Sequence, residues 1–189
     1  MGETLFSGLS FLTDPGRVFM PRPATRRLVE RALELGPRRL ADVGTGSGAI
    51  AVAIAVRATE AEVWATDTSE AAVRLAYANA VRQGVAGRVH VVHADLLAGA
   101  PRDLDLVVAN LPYLPDAVRL EEYDDEPPEA VYAPGDGLVH YHRLLRAAEA
   151  RLRPGGRLLI QFRAKLLEAR RHELHGLRER LESSAWVAS

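Results

Sequence analysis

The sequence predicts an α/β domain built on a mostly parallel open sheet with helices on both faces. Three observations carry this. Short apolar runs that end in glycine, aspartate or asparagine alternate with segments of helix length. A glycine-rich turn joins the first such run to a helix. At 189 residues the chain suits one domain of this kind, long enough to bury roughly two thirds of the surface its unfolded form exposes.

The first twenty residues show no clear period and are expected to be an irregular N-terminal segment. "PRPATRRLVERALELG" reads as a helix opened near Pro23 and stopped by Gly36, with Leu28, Ala32 and Leu35 on one face. "RLADVG" is a short apolar strand, "SGAIAVAIAVRA" a helix of small residues, and "AEVWATD" a second strand that ends in an acid. "SEAAVRLAYANAVRQG" is a helix with Ser69 as N-cap and Gly84 as its stop, and "RVHVVHAD" and "LDLVVAN" are further strands. Strands separated by helices of this length pair in parallel through crossovers. Pro101 and Asp103 punctuate the link between the third and fourth strands.

From Leu114 to about Pro134 the period fails, and the stretch holds seven acids before Val131 and four prolines. It is a loop, either a solvated connection or a functional element. "GLVHYHRLLRAAEARLRPGG" then reads as a helix with a Pro-Gly-Gly stop and "RLLIQF" as a fifth strand. "RAKLLEARRHELHGLRERLE" reads as a charged helix with Leu167, Leu174, Leu177 and Leu181 as its apolar stripe.

Composition narrows the functional classes. A hydrophobic fraction of 48% and a charged fraction of 26% are ordinary, and a net charge of -1 provides no global attraction to phosphate backbones. With no cysteine there is no disulfide, thiolate metal site or cysteine nucleophile. The six histidines fall in no metal-binding pattern, so no metal is expected. The start of the chain lacks the basic and apolar regions of a leader, and no apolar run approaches the ~20 residues of a membrane span. The expected location is the cytoplasm.

The candidate site lies at the strand ends. "DVGTGSGA" puts Gly44, Thr45, Gly46, Ser47 and Gly48 between the first strand and its helix, where bare backbone admits a ligand. Read with Ala49 it also satisfies the dinucleotide fingerprint G-x-G-x-x-G/A. Asp67, followed by Thr68, ends the second strand and can accept from both hydroxyls of a ribose, which suits NAD and S-adenosylmethionine alike. Asp95 ends the third strand, where it can accept from an adenine amino group while Leu96 packs on the ring. The fourth strand ends in Asn110-Leu111-Pro112-Tyr113, to which the dinucleotide reading assigns no work. An amide or aromatic amine has a delocalised lone pair, and hydrogen bonds from its N–H groups to fixed acceptors can orient that nitrogen. Asn110 Oδ1 and the Leu111 carbonyl are such acceptors. Pro112 restricts Leu111 to extended backbone, and Tyr113 can cover the flat group.

On these residues the chain resembles the S-adenosylmethionine-dependent methyltransferases of class I, and among them the HemK-type protein-(glutamine-N5) methyltransferases. "DVGTGSGAIA", "VFMPRPATRRLVERAL" and "DDEPPEAVYAPGDGLVHYHRLL" look like the glycine loop, the P-R-P-x-T segment and the E-P-x-x-A-L-x-x-G-x-D-G-L stretch of that family. The resemblance implies a Rossmann-like fold and methylation of a glutamine side chain in a protein such as a peptide-chain release factor. Its cofactor would be S-adenosylmethionine, its product S-adenosylhomocysteine. It implies that Gly44 to Gly48, Asp67, Thr68, Asp95, Leu96 and Asn110 hold the cofactor. Asn110, Leu111, Pro112 and Tyr113 then serve catalysis and acceptor binding, and Glu126 and Pro127 shape the acceptor pocket.

The chain departs from the family at three places. Leu111 stands where the family's N-P-P-Y has its first proline, and N-L-P-Y also occurs in adenine-N6 methyltransferases of RNA, so adenine in nucleic acid is an alternative acceptor. Only about 20 residues precede Pro21, so the chain is expected to lack the helical N-terminal domain of the family, with a partner subunit in its place; a non-catalytic partner module is a further alternative. Residues 163–189 leave room for a helix and a short tail, so the last strands of the sheet are expected to be curtailed.

Overall fold

The computed structural model of the protein describes residues 1–162 and the backbone of residues 185–188. Its first elements are strands β1 (Gly2–Phe6) and β2 (Leu9–Thr13), paired antiparallel. This corrects the expectation of an irregular start. Ser7 and Gly8 both have positive φ, at 49° and 75°, as a two-residue hairpin turn requires. The hairpin is anchored by Phe6 and Phe11, 2% and 0% exposed and packed edge to face. The short strands hid this, although Ser-Gly between two apolar runs is a hairpin signal.

A single 3-10 turn at Pro23–Thr25 leads into α1 (Arg26–Glu34), which buries Leu28, Val29 and Ala32; Leu35 lies just past its end, half-buried. The remaining elements are β3 (Arg39–Val43), α2 (Ala49–Arg57), β4 (Glu62–Asp67), α3 (Glu70–Arg82), β5 (Val89–His93) and β6 (Leu104–Ala109). They are followed by the two-residue bridge β7 (Leu114–Pro115) to β8 (Tyr132–Ala133), then α4 (Val139–Glu149), β9 (Leu152–Phe162) and β10 (Ala185–Ala188). Ser69 caps α3 through its side chain, as the sequence predicts. The charged helix expected over Arg163–Glu182 falls outside the described residues.

The main sheet runs β10-β9-β6-β3-β4-β5 with every pair parallel. Alternate residues of each strand face opposite layers. Leu40, Val63, Leu106, Val108 and Leu159 enter a core with α1, α2 and the hairpin. Ala41, Val43, Val107, Ala109, Leu158 and Ile160 pack with Leu138, Tyr141 and Leu144 of the α4 region. Helix α2 is buried over nearly its whole length, because its alanines let α1 and the sheet approach closely.

The fifth strand begins earlier than predicted. Between Leu104↔Leu152 and Leu106↔Arg157 the register advances two residues on β6 and five on β9. Pro154, Gly155 and Gly156 therefore form an irregularity inside a strand instead of stopping a helix. A proline lacks the N–H for an unbroken ladder, and Gly155 has φ 77°. The stretch after Tyr113 is a loop as expected, pinned by the β7–β8 bridge and two 3-10 turns at Glu121–Tyr123 and Pro128–Ala130.

Candidate active site

Strand β3 sits inside the sheet, with β4 on one side and β6 on the other. The chain thus reverses its winding direction there, and such a reversal opens a crevice at the carboxyl ends of the strands. A cavity of about 550 Å³ lies at this place, within the usual range for small-molecule sites. Gly44, Thr45, Gly46, Ser47, Asp67, Thr68, Asp95, Leu96, Asn110, Leu111, Pro112 and Pro127 all line it. Of the residues named from the sequence, Gly48, Tyr113 and Glu126 are not on its wall.

The glycine turn is shaped by hydrogen bonds inside the chain. Gly44 N and Thr45 N donate to Thr66 O at 2.9 and 3.0 Å, Gly48 N donates to Thr45 O at 2.9 Å, and Gly46 N donates to Asp67 Oδ2 at 2.9 Å. A pyrophosphate needs such N–H groups for itself. With these four donors engaged inside the chain and a carboxylate beside them, the turn offers a pyrophosphate fewer N–H groups than a bare glycine turn does. Gly44 has φ 69°, and a Cβ there would lie 2.6 Å from Leu111 Cδ2, so the first turn and the fourth strand end touch directly.

Asp67 is half-buried at the end of β4, with its second oxygen accepting from Ser69 N at 2.9 Å. It joins the glycine turn to the start of α3 and still lines the cavity. Asp95 is exposed and paired with Arg143 of α4. Arg143 and His140 line the same end of the cavity, and burial, then the Arg143 charge, push the His140 imidazole below its ordinary value. Leu96 has φ 48°, and its carbonyl accepts from Thr66 Oγ1 at 2.7 Å.

At the fourth strand end, Asn110 Nδ2 faces Thr25 Oγ1 at 3.5 Å, the outer limit of a hydrogen bond. Thr25 is the last residue of the P-R-P-x-T segment, so that segment orients the asparagine amide. The Tyr113 ring packs on Phe162, centroids 5.5 Å apart. Its backbone is fixed by Gly137, where a Cβ would lie 2.3 Å from Tyr113 O.

Glu126 acts at a distance from the cavity. It is 6% exposed, accepts from Arg22 Nη2 at 2.7 Å and from Met20 N at 3.0 Å, and so ties the P-R-P segment to the acidic loop. The Arg22 guanidinium also lies over the Phe19 and Tyr123 rings, at 5.4 and 5.1 Å. Phe19, Pro21 and Arg22 form one wall of the cavity.

Two supporting residues escape sequence reading. Asn79 on α3, fully buried, accepts from Leu12 N at 2.7 Å and donates to Leu12 O at 3.0 Å and Ser47 O at 2.8 Å. It links the hairpin to the glycine turn. Asp42 on β3 is also fully buried; its Oδ2 accepts from Thr45 Oγ1 at 2.7 Å and Ala51 N at 3.1 Å, while Oδ1 has no partner. Only its place just before the glycine turn could have marked it.

Burial pushes the Asp42 carboxyl up from 3.8 to about 7, against the lowering effect of its two donors. A raised folded-state pKa stabilises the fold fully below the unfolded value and ceases to do so as pH rises through about 7. Between those limits the protein is expected to lose up to about 1.4 kcal/mol per pH unit from this group. Urea unfolding of wild type and Asp42→Asn at pH 5 and pH 8 reads the effect. The wild type should lose on the order of 2 kcal/mol more than the variant, and parallel curves would contradict a protonated buried carboxyl.

The fold and the converging strand ends define a Rossmann-like α/β domain with a ligand cavity at its switch point. The chain belongs to the methyltransferase small domain family, whose model matches residues 10–121. It is 39% identical over 168 residues to the release factor glutamine methyltransferase of Cereibacter sphaeroides, covering 87% of this chain and 60% of that protein. To the release factor glutamine methyltransferase of Deinococcus radiodurans it is 41% identical over 168 residues, with 85% and 59% covered. The chain thus spans about 60% of the length of the first and 59% of the second. The crystal structure of ribosomal protein L11 methylase from Lactobacillus delbrueckii subsp. bulgaricus shares the fold, with TM-score 0.58, 24% identity, and 88% of this chain and 72% of that one covered. Among the described residues no helix is long and apolar enough to cross a membrane, and no group of three or more His, Asp or Glu is placed to hold a metal ion.

Proposed function

We propose that the chain is an S-adenosylmethionine-dependent N-methyltransferase whose acceptor is a glutamine side-chain amide of a peptide-chain release factor. The observation that carries the reading is the meeting of the glycine turn, Asp67, Asp95 and Asn110-Leu111-Pro112 around one cavity. The names of the relatives support the acceptor.

The residues present fit the cofactor. The cavity size suits a nucleoside with an amino-acid tail, and the carboxylates favour a cationic ligand where the engaged turn N–H groups disfavour an anionic one. S-adenosylmethionine, when bound, supplies a methyl group already activated on a sulfonium whose leaving group is a neutral thioether. Asp67 would accept from the ribose hydroxyls, with Thr68 beside it, and Asp95 and Leu96 would hold the adenine. Gly44 to Ser47 would hold the methionine end. Asn110 Oδ1 and the Leu111 carbonyl accept the two amide protons of the glutamine and fix its nitrogen, while Pro112 keeps Leu111 extended and Pro127 walls the cavity. Positioning does most of the work. The spare proton of the nitrogen leaves to water, so no strong base is needed.

Incubation with radiolabelled S-adenosylmethionine, release factor and total cellular nucleic acid, followed by separate protease and nuclease digestion, tests this. Label is expected in protein, on one glutamine located by mass spectrometry. Label that resists protease and yields to nuclease would replace glutamine by adenine as the acceptor.

A further inference from the structure

Tyr141, in the first turn of α4, is fully buried and lies behind the cavity wall. Its ring packs 4.4 Å from that of Phe162, and its hydroxyl meets three backbone groups. Leu111 N donates to Tyr141 Oη at 3.0 Å, and Leu111 O and Gln161 O lie 2.9 and 3.2 Å from the same oxygen. A hydroxyl has one proton to give, so at any moment it serves one of these two carbonyls.

The N–H and C=O of one residue reach a single atom only when they point to the same side, which is the extended conformation. Pro112 already biases Leu111 to that conformation from the following position. Tyr141 secures it from behind. Burial also holds the phenol well above its ordinary pKa, so it remains a neutral donor at working pH.

We infer that Tyr141 is a positioning residue for the methyl acceptor. Its hydroxyl clamps Leu111 in extended form and lends its proton to the Gln161 carbonyl when an acceptor N–H takes the Leu111 carbonyl. The inference rests on the glutamine-amide reading above. It explains how a tetrapeptide with leucine at its second position keeps its shape: the leucine N–H is held by Tyr141, and its side chain rests on Gly44.

Tyr141→Phe removes the hydroxyl and keeps the ring. Three measurements on the folded variant decide the matter. Calorimetric affinity for S-adenosylmethionine should stay within about twofold of wild type, since Tyr141 is not on the cavity wall. Hydrogen exchange at the Leu111 amide should speed up at least about tenfold, as expected for a buried N–H that has lost its partner. With release factor as acceptor, kcat should fall by about tenfold or more, a change that a purely structural loss shared with cofactor binding would not single out. Unchanged exchange, or faster exchange with full kcat, overturns the inference. A wild-type chain that transfers no methyl to release factor overturns the glutamine reading instead, and the two failures are distinct.

Discussion

Asn110→Ala is expected to abolish methyl transfer while leaving the cofactor bound. Removing one preorganised partner of the reacting group typically costs about 100- to 1,000-fold in kcat. The loss here should reach that range, because the asparagine oxygen is one of only two acceptors assigned to the amide. The side chain also faces Thr25 across the P-R-P segment, but at 3.5 Å that contact contributes little to stability. Thermal unfolding should therefore stay near the wild-type midpoint, and calorimetry should show cofactor affinity changed by no more than a few-fold. Turnover retained within tenfold of wild type would remove Asn110 from the acceptor site.

Asp67→Ala is expected to have the opposite signature. Hydrogen bonds to a charged group are worth about 1.5 to 3 kcal/mol each, so losing two ribose contacts should weaken cofactor binding by about 100-fold or more. Asp67 also accepts from Gly46 N and Ser69 N, so the alanine variant leaves two backbone donors unsatisfied beside the turn. Asp67→Asn grades the two effects, since it keeps the shape and one acceptor oxygen and leaves one of the two backbone donors facing an amide NH2. Its affinity and its melting temperature should both fall between those of wild type and alanine. Calorimetric affinity unchanged in both variants would show that the carboxylate serves the turn alone.

These two residues were legible because strand ends announce themselves. A parallel sheet writes each strand as an apolar run, and the residue that ends the run lies at the carboxyl edge by construction. Gly44, Asp67, Asp95 and Asn110 all stand at the ends of such runs, and all four line one cavity. What escaped was long-range. Tyr141 reads as one more apolar residue on a helix face, and only the approach of Leu111, thirty positions earlier, gives its hydroxyl a task. Asn79 looks like a solvated helix residue until the hairpin and the glycine turn close over it. The family resemblance gives Glu126, with Pro127, a place at the acceptor pocket. The structure turns its carboxylate to Arg22 and Met20 instead, a pairing across more than a hundred residues that no local pattern encodes.

The arrangement of the sheet also bears on how the site comes into being. All its pairs are parallel, so no two neighbouring strands are joined by a simple reversal of the chain. The contact between Gly44 and Leu111 needs Leu40 to find Leu106, with two helices and two strands in between. Closing so long a stretch is slow, and topologies rich in distant contacts fold slowly as a group. The hydrogen bonds of the glycine turn to Thr66 and Asp67 join β3 to β4, whereas its contact with Leu111 exists only once β6 has docked against β3. The glycine turn and the fourth strand end become neighbours only when that distant pair of strands has closed.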